Sequence, residues 1–215
     1  MIGATGLVGS LLRDRILNKR ATELHALVRR ASGRSHPSCH EHVLPPERWP
    51  EAVASIGADT AVSALGTTMR NAGSEAAFRA VDYDMVLAFG TAARSAGAGH
   101  MLTVSSVGAD PTSRNFYLRL KGEMEQALAA LGFDRLDVLR PGLLVGKRSA
   151  DRRLGERLGI LASPVTNLFL RGSLGRYAAI DADLVAAAAA ACLERREPGV
   201  RVHENSALRR LAQHA

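Results

Sequence analysis

Aromatic residues and cysteines are scarce in this sequence. Phe, Trp and Tyr make up 4% of the 215 residues, which argues against a surface that stacks nucleic-acid bases. The two cysteines, Cys39 and Cys192, are too few for a framework of disulfide bonds and are typical of a reducing compartment. These shortages favour a cytoplasmic protein that has no nucleic-acid partner.

Long apolar segments and a recognisable signal sequence are absent as well. The longest alanine run, 186–191, is far shorter than the ~20 apolar residues that a membrane span needs. No basic segment followed by an apolar one opens the chain. We therefore expect no membrane partner.

The residues that are present are typical of a globular protein with a basic surface. The hydrophobic share of 47% and the charged share of 23% suit one domain over 1–215, in a monomer or a homodimer. The net charge is +7, which fits either a nucleic-acid partner or a surface that attracts an anionic cofactor or substrate. Because the arginines are dispersed and aromatic residues are few, we favour the second interpretation.

A glycine-rich loop lies at the start of the chain. Gly3, Gly6 and Gly9 form a G-x-x-G-x-x-G pattern that leads into an apolar, helix-like run. Such a loop turns a strand into a helix and offers backbone N–H groups and the helix dipole to a pyrophosphate. The alternative is an ordinary tight turn. Only Met1 and Ile2 precede Gly3, so the first strand is expected to be a stub unless further residues precede it.

Strand-like and helix-like segments alternate along the rest of the chain. This order predicts an α/β fold, a doubly wound parallel sheet (Rossmann fold) in three α/β/α layers. The predicted strands after the loop are 23–29, 42–44, 60–65, 101–105, 135–140 and 200–203. The predicted helices are a first helix after the loop, 47–56, 74–95, 117–131, 181–195 and a terminal helix. Residues 147–180 are expected to form a small cap on the substrate side.

Two arginines follow the second predicted strand. In dinucleotide-binding folds an Asp or Glu about 20 residues past the glycine loop holds the ribose hydroxyls of NAD. This sequence has Arg29 and Arg30 there, and guanidinium groups match a 2′-phosphate. We therefore predict NADP(H) in preference to NAD(H). The alternative is that both arginines are ordinary surface residues.

A serine, a tyrosine and a lysine follow the strand at 101–105 in order. Ser106 comes at the carboxyl end of that strand, where ligands bind in such sheets. Tyr117 and Lys121 are four residues apart, which places them on one face of a helix. An ammonium group beside a tyrosine favours the phenolate, so this pair suits proton exchange with a carbonyl or hydroxyl group. The pair also arises by chance, as a packing tyrosine beside a solvated lysine.

Several segments resemble the short-chain dehydrogenase/reductases, specifically the atypical group that includes the human Tat-interactive protein 2. They are Gly3–Gly9, Ser63–Thr68, Val81–Asp82, Val104–Ala109, Tyr117–Glu123 and Leu139–Gly142. The resemblance implies a Rossmann fold, NADP(H) binding and a catalytic set of Ser106, Tyr117 and Lys121. The residues expected to contact the cofactor are Gly3, Thr5, Gly6, Leu7, Val8, Gly9, Arg29, Arg30, Ala64, Leu65, Gly66, Asp82, Ser105, Tyr117, Lys121, Pro141, Gly142 and Leu143. Ala64 to Gly66 are expected on the adenosine side, and Pro141 to Leu143 on the nicotinamide side.

Two departures from that family keep a second function open. Asp82 takes the place of an asparagine that often completes the catalytic set, and the connection from Ser106 to Tyr117 is short. We predict an NADPH-dependent oxidoreductase that reduces a carbonyl of a small molecule. The alternative is an NADPH-gated regulator with little turnover. An epimerase or dehydratase acting on a nucleotide sugar is less favoured, because little chain follows Gly146 to build a sugar-nucleotide lobe.

Two further groups of residues have a polar-surface interpretation beside a functional one. Three histidines and a cysteine lie within 36–42, but their spacing matches no recognised zinc pattern, so no metal is predicted. Six arginines follow the predicted strand at 135–140. They form either a solvated basic surface or a selector for an anionic substrate. They are Arg148, Arg152, Arg153, Arg157, Arg171 and Arg176.

Overall fold

The computed structural model of the protein describes residues 1–19, 22–146 and 177–213. The strands are β1 (Leu24–Val28), β2 (Cys39–Val43), β3 (Thr60–Ser63), β4 (His100–Val104), β5 (Arg135–Arg140), β6 (Leu144–Val145), β7 (Ile180–Asp181) and β8 (Gly199–Glu204). The helices are α1 (Leu7–Leu17), α2 (Trp49–Ile56), α3 (Met69–Ala72), α4 (Glu75–Arg79), α5 (Met85–Ser95), α6 (Phe116–Ala130), α7 (Ala182–Leu193) and α8 (Asn205–Ala212). A 3-10 turn, Pro46–Arg48, precedes α2, and a π-helical turn, Ala80–Asp84, joins α4 to α5.

The main sheet is parallel, and its central position is occupied by the start of the chain. β1 pairs with β2, while β3, β4, β5 and β8 pair in that order. Ile2 joins the two groups, because it bridges Leu27 on one side and Ser63 on the other. The order is therefore β2-β1-Ile2-β3-β4-β5-β8. Successive strands are first added on one side of Ile2 (β1 and β2) and then on the other side (β3, β4, β5 and β8), so the strand order reverses next to the glycine loop. The stub expected before Gly3 is a single bridging residue.

Helices cover both faces of this sheet. α1, α7 and α8 pack on one face, around a core that includes Leu12, Val185 and Leu208. α2, α5 and α6 pack on the other face, around a core that includes Phe89 and Met124. β4 and β5 bury apolar side chains on both faces of the sheet, with Leu102 and Leu139 in the first core and Met101 and Leu136 in the second. The predicted three-layer Rossmann fold is confirmed.

The structure differs from the predicted elements mainly where strands are polar or short. β2 begins at Cys39, not at 42 as predicted. It is an edge strand with half-exposed side chains, so its start is set by backbone pairing with β1 and not by an apolar pattern. The two-residue pair of β6 and β7 was not predicted, since two residues carry no periodicity. The predicted helix over 74–95 is observed from Glu75 to Ser95, with the π turn inside it.

A buried polar cluster links β4, β5 and β8. Asp137 is fully buried, and its carboxylate lies 2.8 Å from His100 Nε2 and 2.7 Å from His203 Nε2. Arg135 donates to the same carboxylate from Nε at 2.5 Å and from Nη2 at 2.9 Å. Burial by itself raises the pKa of Asp137, but these hydrogen bonds outweigh it and hold that pKa well below its ordinary value. The cluster therefore joins these three neighbouring strands through buried side chains.

Two sequence-based expectations concern regions that the structure does not fully describe. Of the predicted cap over 147–180, residues 147–176 lie outside the described residues, and so do all six arginines of that region. Within the described ranges, no helix combines the length and the apolar character needed to cross a bilayer.

Candidate functional site

The glycine loop connects Ile2 to α1 and packs tightly against the end of β3. Gly3 has a φ of +77°, and a methyl group on it would lie 2.3 Å from the carbonyl carbon of Ala64. A methyl group on Gly9 would lie 2.0 Å from the carbonyl oxygen of Gly3. Neither position has space for a side chain, so the loop needs both glycines. In loops of this type the third glycine permits close packing of helix and strand, and Gly9 has that role here.

The first turn of α1 is suited to an anion. Gly6 is the N-cap residue; it offers no side-chain cap, and the first turn holds no acidic residue. The N–H groups of this turn therefore keep their hydrogen-bonding capacity, and the helix dipole adds positive potential. Thr5 is exposed beside this turn, whereas the Val8 side chain is buried in the core. Of the predicted contacts, Val8 can reach a ligand only through its backbone.

Arg29 and Arg30 lie directly after β1, and both are exposed. Neither guanidinium has an ion-pair partner among the residues that the structure describes. The neighbouring acid, Glu41, is already paired with the buried Arg13 at 3.1 Å. Arg13 also donates to Ser32 Oγ at 3.0 Å, which holds the segment after the two arginines against α1. The end of β1 is therefore a positively charged surface.

The two serines after β4 have different surroundings. Ser105 is buried, and its hydroxyl donates to Glu125, which is also held by Arg140 Nε at 3.0 Å. The Ser105 side chain was expected at the cofactor, but it lies in this internal network. Ser106 is half-buried, and its hydroxyl makes a long 3.3 Å bond to the Val107 carbonyl. Of these two hydroxyls, that of Ser106 is the less buried and has no side-chain partner among the described residues.

Tyr117 and Lys121 lie one turn apart at the start of α6. Asn115 caps this helix by accepting a hydrogen bond from Leu118 N at 3.1 Å, which sets the position of its first turn. Tyr117 is half-buried, and its ring meets that of Phe78 edge-on at 5.6 Å between centroids. Lys121 is buried, with 3% of its surface exposed. The structure therefore places the two side chains on one helix face, as their spacing predicts.

Asp82 connects this helix to the loop after β3. Its carboxylate lies 2.6 Å from the Lys121 ammonium and accepts a hydrogen bond from Thr67 N at 2.8 Å. Asp82 is 1% exposed and lies within the π turn. The extra residue of a π turn rotates the following side chains, and such turns are frequent at functional sites. Asp82 therefore positions Lys121 and the 64–67 loop together, and its charge balances that of the lysine.

The short connection from Ser106 to Tyr117 is folded against α6. A methyl group on Gly122 would lie 2.2 Å from the backbone nitrogen of Pro111. Asp110 N donates to Leu118 O at 3.1 Å, in the same contact. Gly122 thus permits a close contact between α6, which carries Tyr117, and the connection that follows Ser106.

The turn after β5 completes the carboxyl edge of the sheet. Gly142 N donates to Asn205 Oδ1 at 2.9 Å, and the Asn205 amide donates to Ala178 O at 2.7 Å. Val107 N donates to Pro141 O at 3.0 Å, which ties this turn to the Ser106 loop. Leu143, next along, is exposed. The predicted nicotinamide-side turn is therefore held beside the predicted catalytic loop.

Sequence analysis missed four side chains that support this site. Asn205, Glu125 and Arg140 hold the loops after β4 and β5, and Arg13 holds the segment after β1. No motif marks Asn205, which lies far along the chain from Gly142. Glu125 carried one available signal, because it lies four residues after Lys121 and therefore on the same face of α6.

Relatives of known sequence share most of this chain. The Coccidioides immitis protein named "Protein FMP52, mitochondrial" is 33% identical over 177 residues, which is 76% of this chain and 72% of that protein. The rat protein named HTATIP2 is 36% identical over 157 residues, which is 71% of this chain and 64% of that protein. The mitochondrial names of the FMP52 relatives contradict the cytoplasmic location expected above. Few cysteines point to a reducing compartment but do not say which one.

A solved structure and a family model extend the comparison. The structure of UDP-glucose 4-epimerase with UDP-glucose from Thermotoga maritima matches with a TM-score of 0.70, over 99% of this chain and 80% of that one. Its sequence is 15% identical, so this likeness shows the fold. The model of the family described as HIM1 matches residues 40–163, more than half of the 215 residues. The chain therefore belongs to the HIM1 family, whose Rossmann fold is that of the atypical short-chain dehydrogenase/reductases.

Proposed function

We propose that the protein is an NADPH-dependent oxidoreductase that reduces a carbonyl group of a small molecule. The observation that carries this proposal is the convergence of four loops at one edge of the sheet. The glycine loop follows Ile2, the 64–67 loop follows β3, Ser106 follows β4, and the Pro141 turn follows β5. In open parallel sheets this edge, at the point where the strand order reverses, is where ligands bind.

The chain offers complementary groups for each part of NADPH. The uncapped first turn of α1 suits the pyrophosphate, and Arg29 and Arg30 suit the 2′-phosphate. Ala64 to Gly66 would line the adenosine side, and Pro141 to Leu143 the nicotinamide side. When bound, NADPH supplies a hydride to the carbonyl carbon of the substrate. Solved structures of the same fold include the Bordetella bronchiseptica enzyme WbmH in complex with NAD+, which supports a nicotinamide cofactor.

The residues around the substrate oxygen would orient it and supply a proton. Ser106 donates a hydrogen bond to the carbonyl oxygen and holds it in place. The Tyr117 hydroxyl gives its proton to that oxygen as the alcohol forms. Lys121 stabilises the resulting phenolate. Asp82 balances the lysine charge and so limits how strongly Lys121 stabilises the phenolate. Tyr117 is therefore more easily protonated again for the next turnover.

The test is the substitution Tyr117→Phe, which removes the hydroxyl but keeps the ring against Phe78. Proton transfer by a positioned side chain is worth roughly 10²- to 10⁴-fold in rate, so turnover should fall by that factor while NADPH affinity is unchanged. NADPH oxidation would be followed against a panel of carbonyl compounds, and binding by NADPH fluorescence. Tyr83→Phe is the matched control, because Tyr83 lies under the exposed Arg79 guanidinium. Equal turnover in the two variants would remove Tyr117 from the reaction.

A regulator that binds NADPH without turnover is the second proposal. The observation that favours it is the direct 2.6 Å contact of Asp82 with Lys121, which pairs the lysine charge with a carboxylate. The two proposals differ in the same assays. A regulator binds NADPH tightly, oxidises it with no compound of the panel, and changes its affinity for a protein partner when NADPH is added.

The character of the substrate is a further part of the proposal. One or two of the six arginines of 148–176 would select an anionic small molecule, and replacing such an arginine, for example by Arg153→Ala, should then raise KM for carboxylate substrates without weakening NADPH binding. We propose neither a nucleic-acid nor a membrane partner, and a monomer or homodimer as the active form. Equal KM values for charged and neutral substrates would argue against anion selection.

A further inference from the structure

A second group of polar side chains lies on β1 and β2, away from the glycine loop. In the parallel register, His25 pairs with His40 and Leu27 pairs with His42. Side chains alternate between the faces of a strand, so these three histidines share one face of the sheet. Leu27 belongs to the core under α2 and α5, which identifies that face. Glu23 is two residues before His25 and is therefore on the same face.

The three imidazole rings are close enough to interact directly. The ring of His25 is stacked with that of His40 at 4.9 Å and with that of His42 at 5.2 Å between centroids. One potential ligand atom from each of Glu23, His25 and His40 lies within 4.8 Å of the others. Bonds of about 2.0–2.1 Å to a tetrahedral zinc ion place ligand atoms about 3.4 Å apart. Glu23 and His40 are exposed, so their side chains have room to rotate toward this shorter spacing.

We propose that Glu23, His25 and His40 bind a divalent transition-metal ion such as Zn²⁺. A carboxylate and two imidazoles form a donor set that suits zinc, and three protein ligands leave a coordination position for water. The bound ion would join the two strands at the edge of the sheet. This site is independent of the proposed NADPH reaction, because the cofactor loops follow the opposite, carboxyl ends of the strands.

His42 has a distinct part in this arrangement, as the partner of a ligand. His25 Nδ1 lies 3.0 Å from His42 Nε2, so one of these nitrogens carries the hydrogen between them. If His25 donates from Nδ1, its Nε2 presents a lone pair to the metal. Histidines that bind metals almost always donate their other N–H group in this way, which fixes the ring orientation. His42 is therefore a positioning residue, and His25 Nε2 is the ligand atom.

The site differs from the local cluster that the sequence shows at 36–42. Glu41 alternates to the other face and pairs with Arg13, and His36 accepts a hydrogen bond from Ser38 N at 3.2 Å. Two of the three proposed ligands instead precede that cluster by more than ten residues. A second grouping of potential ligands, Asp137, Cys192 and His203, is less suited, because an arginine already occupies the Asp137 carboxylate.

The experiment measures zinc binding by the full chain, purified without a histidine tag. Equilibrium dialysis against Zn²⁺ with metal analysis gives the stoichiometry, and Co²⁺ absorption reports tetrahedral coordination. We expect one ion per chain and a rise in Tm with Zn²⁺ concentration, since an ion that binds only the folded state stabilises it. His40→Ala and Glu23→Gln change exposed residues and should fold normally. Each should weaken binding by more than the roughly 10- to 100-fold expected for the positioning variant His42→Ala.

Two controls show whether the ion is bound at this site. His36→Ala removes a neighbouring histidine outside the proposed set and should leave zinc binding intact. Cys192→Ala removes a ligand of the other grouping and should also have no effect. The proposal is overturned if the parent protein binds no zinc, if His40→Ala binds it as well as His36→Ala does, or if Cys192→Ala abolishes binding.

Discussion

The contact between Asp82 and Lys121 gives the sharpest test of the candidate site. Both side chains are almost fully buried, at 1% and 4% exposed, with 2.6 Å between Oδ1 and Nζ. The change Asp82→Asn keeps the shape and an acceptor for Thr67 N, but removes the charge. Breaking a buried ion pair from one side usually costs about 3–5 kcal/mol, because the remaining charge has no partner. We expect a loss in the upper part of that range, since Lys121 cannot reach solvent.

A double-mutant cycle separates this effect from ordinary repacking. Lys121→Met alone should also be strongly destabilising, because it leaves the Asp82 charge buried. The double variant should lose less than the sum of the two single losses, because it leaves no unpaired charge. Interaction energies of about 0.5–3 kcal/mol are typical of residues in one network, and we expect the upper end here. Asp84→Asn is the matched control, on the same π turn, with an exposed carboxylate 3.6 Å from Arg79.

The assay is urea unfolding of the parent and the four variants, followed by circular dichroism at neutral pH. An unchanged m-value together with a lower midpoint shows that stability alone has changed. Asp84→Asn should stay within about 0.5 kcal/mol of the parent. The reasoning fails if Asp82→Asn is as mild as this control, or if the effects of Asp82→Asn and Lys121→Met are simply additive.

Three further predictions concern the cofactor, the packing of α6 and the acid stability. Arg29→Ala should weaken NADPH binding by about 10- to 150-fold, the value of a charge-assisted hydrogen bond of about 1.5–3 kcal/mol, while NADH affinity is unchanged; equal losses for both would exclude a 2′-phosphate contact. Gly122→Ala places a methyl group 2.2 Å from Pro111 N and should cost at least about 1–3 kcal/mol, whereas Gly132→Ala, tested by the same unfolding assay, serves as a control in open space despite its left-handed backbone. The pKa of Asp137 is held below its unfolded value of about 3.9, so its contribution is complete above about pH 4 and is lost as pH falls below that. Asp137→Asn should therefore be destabilised at pH 7 and should show a shallower loss of stability below about pH 4 than the parent; parallel pH profiles would contradict this.

The sequence was informative wherever a local pattern is sufficient. The strand at 135–140 was predicted with the observed bounds, because Leu136, Val138 and Leu139 indicate a strand and Pro141-Gly142 ends it. The spacing of Gly3, Gly6 and Gly9 predicted the strand-to-helix turn, since only glycine fits such close backbone contacts. The four-residue spacing of Tyr117 and Lys121 predicted a shared helix face, because helical geometry depends on local spacing alone.

The sequence was less informative where two faces or two distant segments determine the outcome. Ser105 and Ser106 are chemically identical, and only the packing of Glu125 and Arg140 on one side of β4 decides which hydroxyl is buried. The polar strand β2 lacks a hydrophobic signal at its start, so its beginning depends on the hydrogen bonds of β1.

By itself, then, the sequence determined the alternation of helices and strands, the glycine turn and the helix face of Tyr117 and Lys121, because these depend on neighbours along the chain. Only the tertiary structure decided that Asp82 meets Lys121, that Asn205 holds the turn at Gly142, and that His25 joins His40. These contacts link residues 15 to 63 positions apart, and they depend on strand order, register and a π turn. Such features arise from the packing of the whole sheet, and no spacing along the chain encodes them.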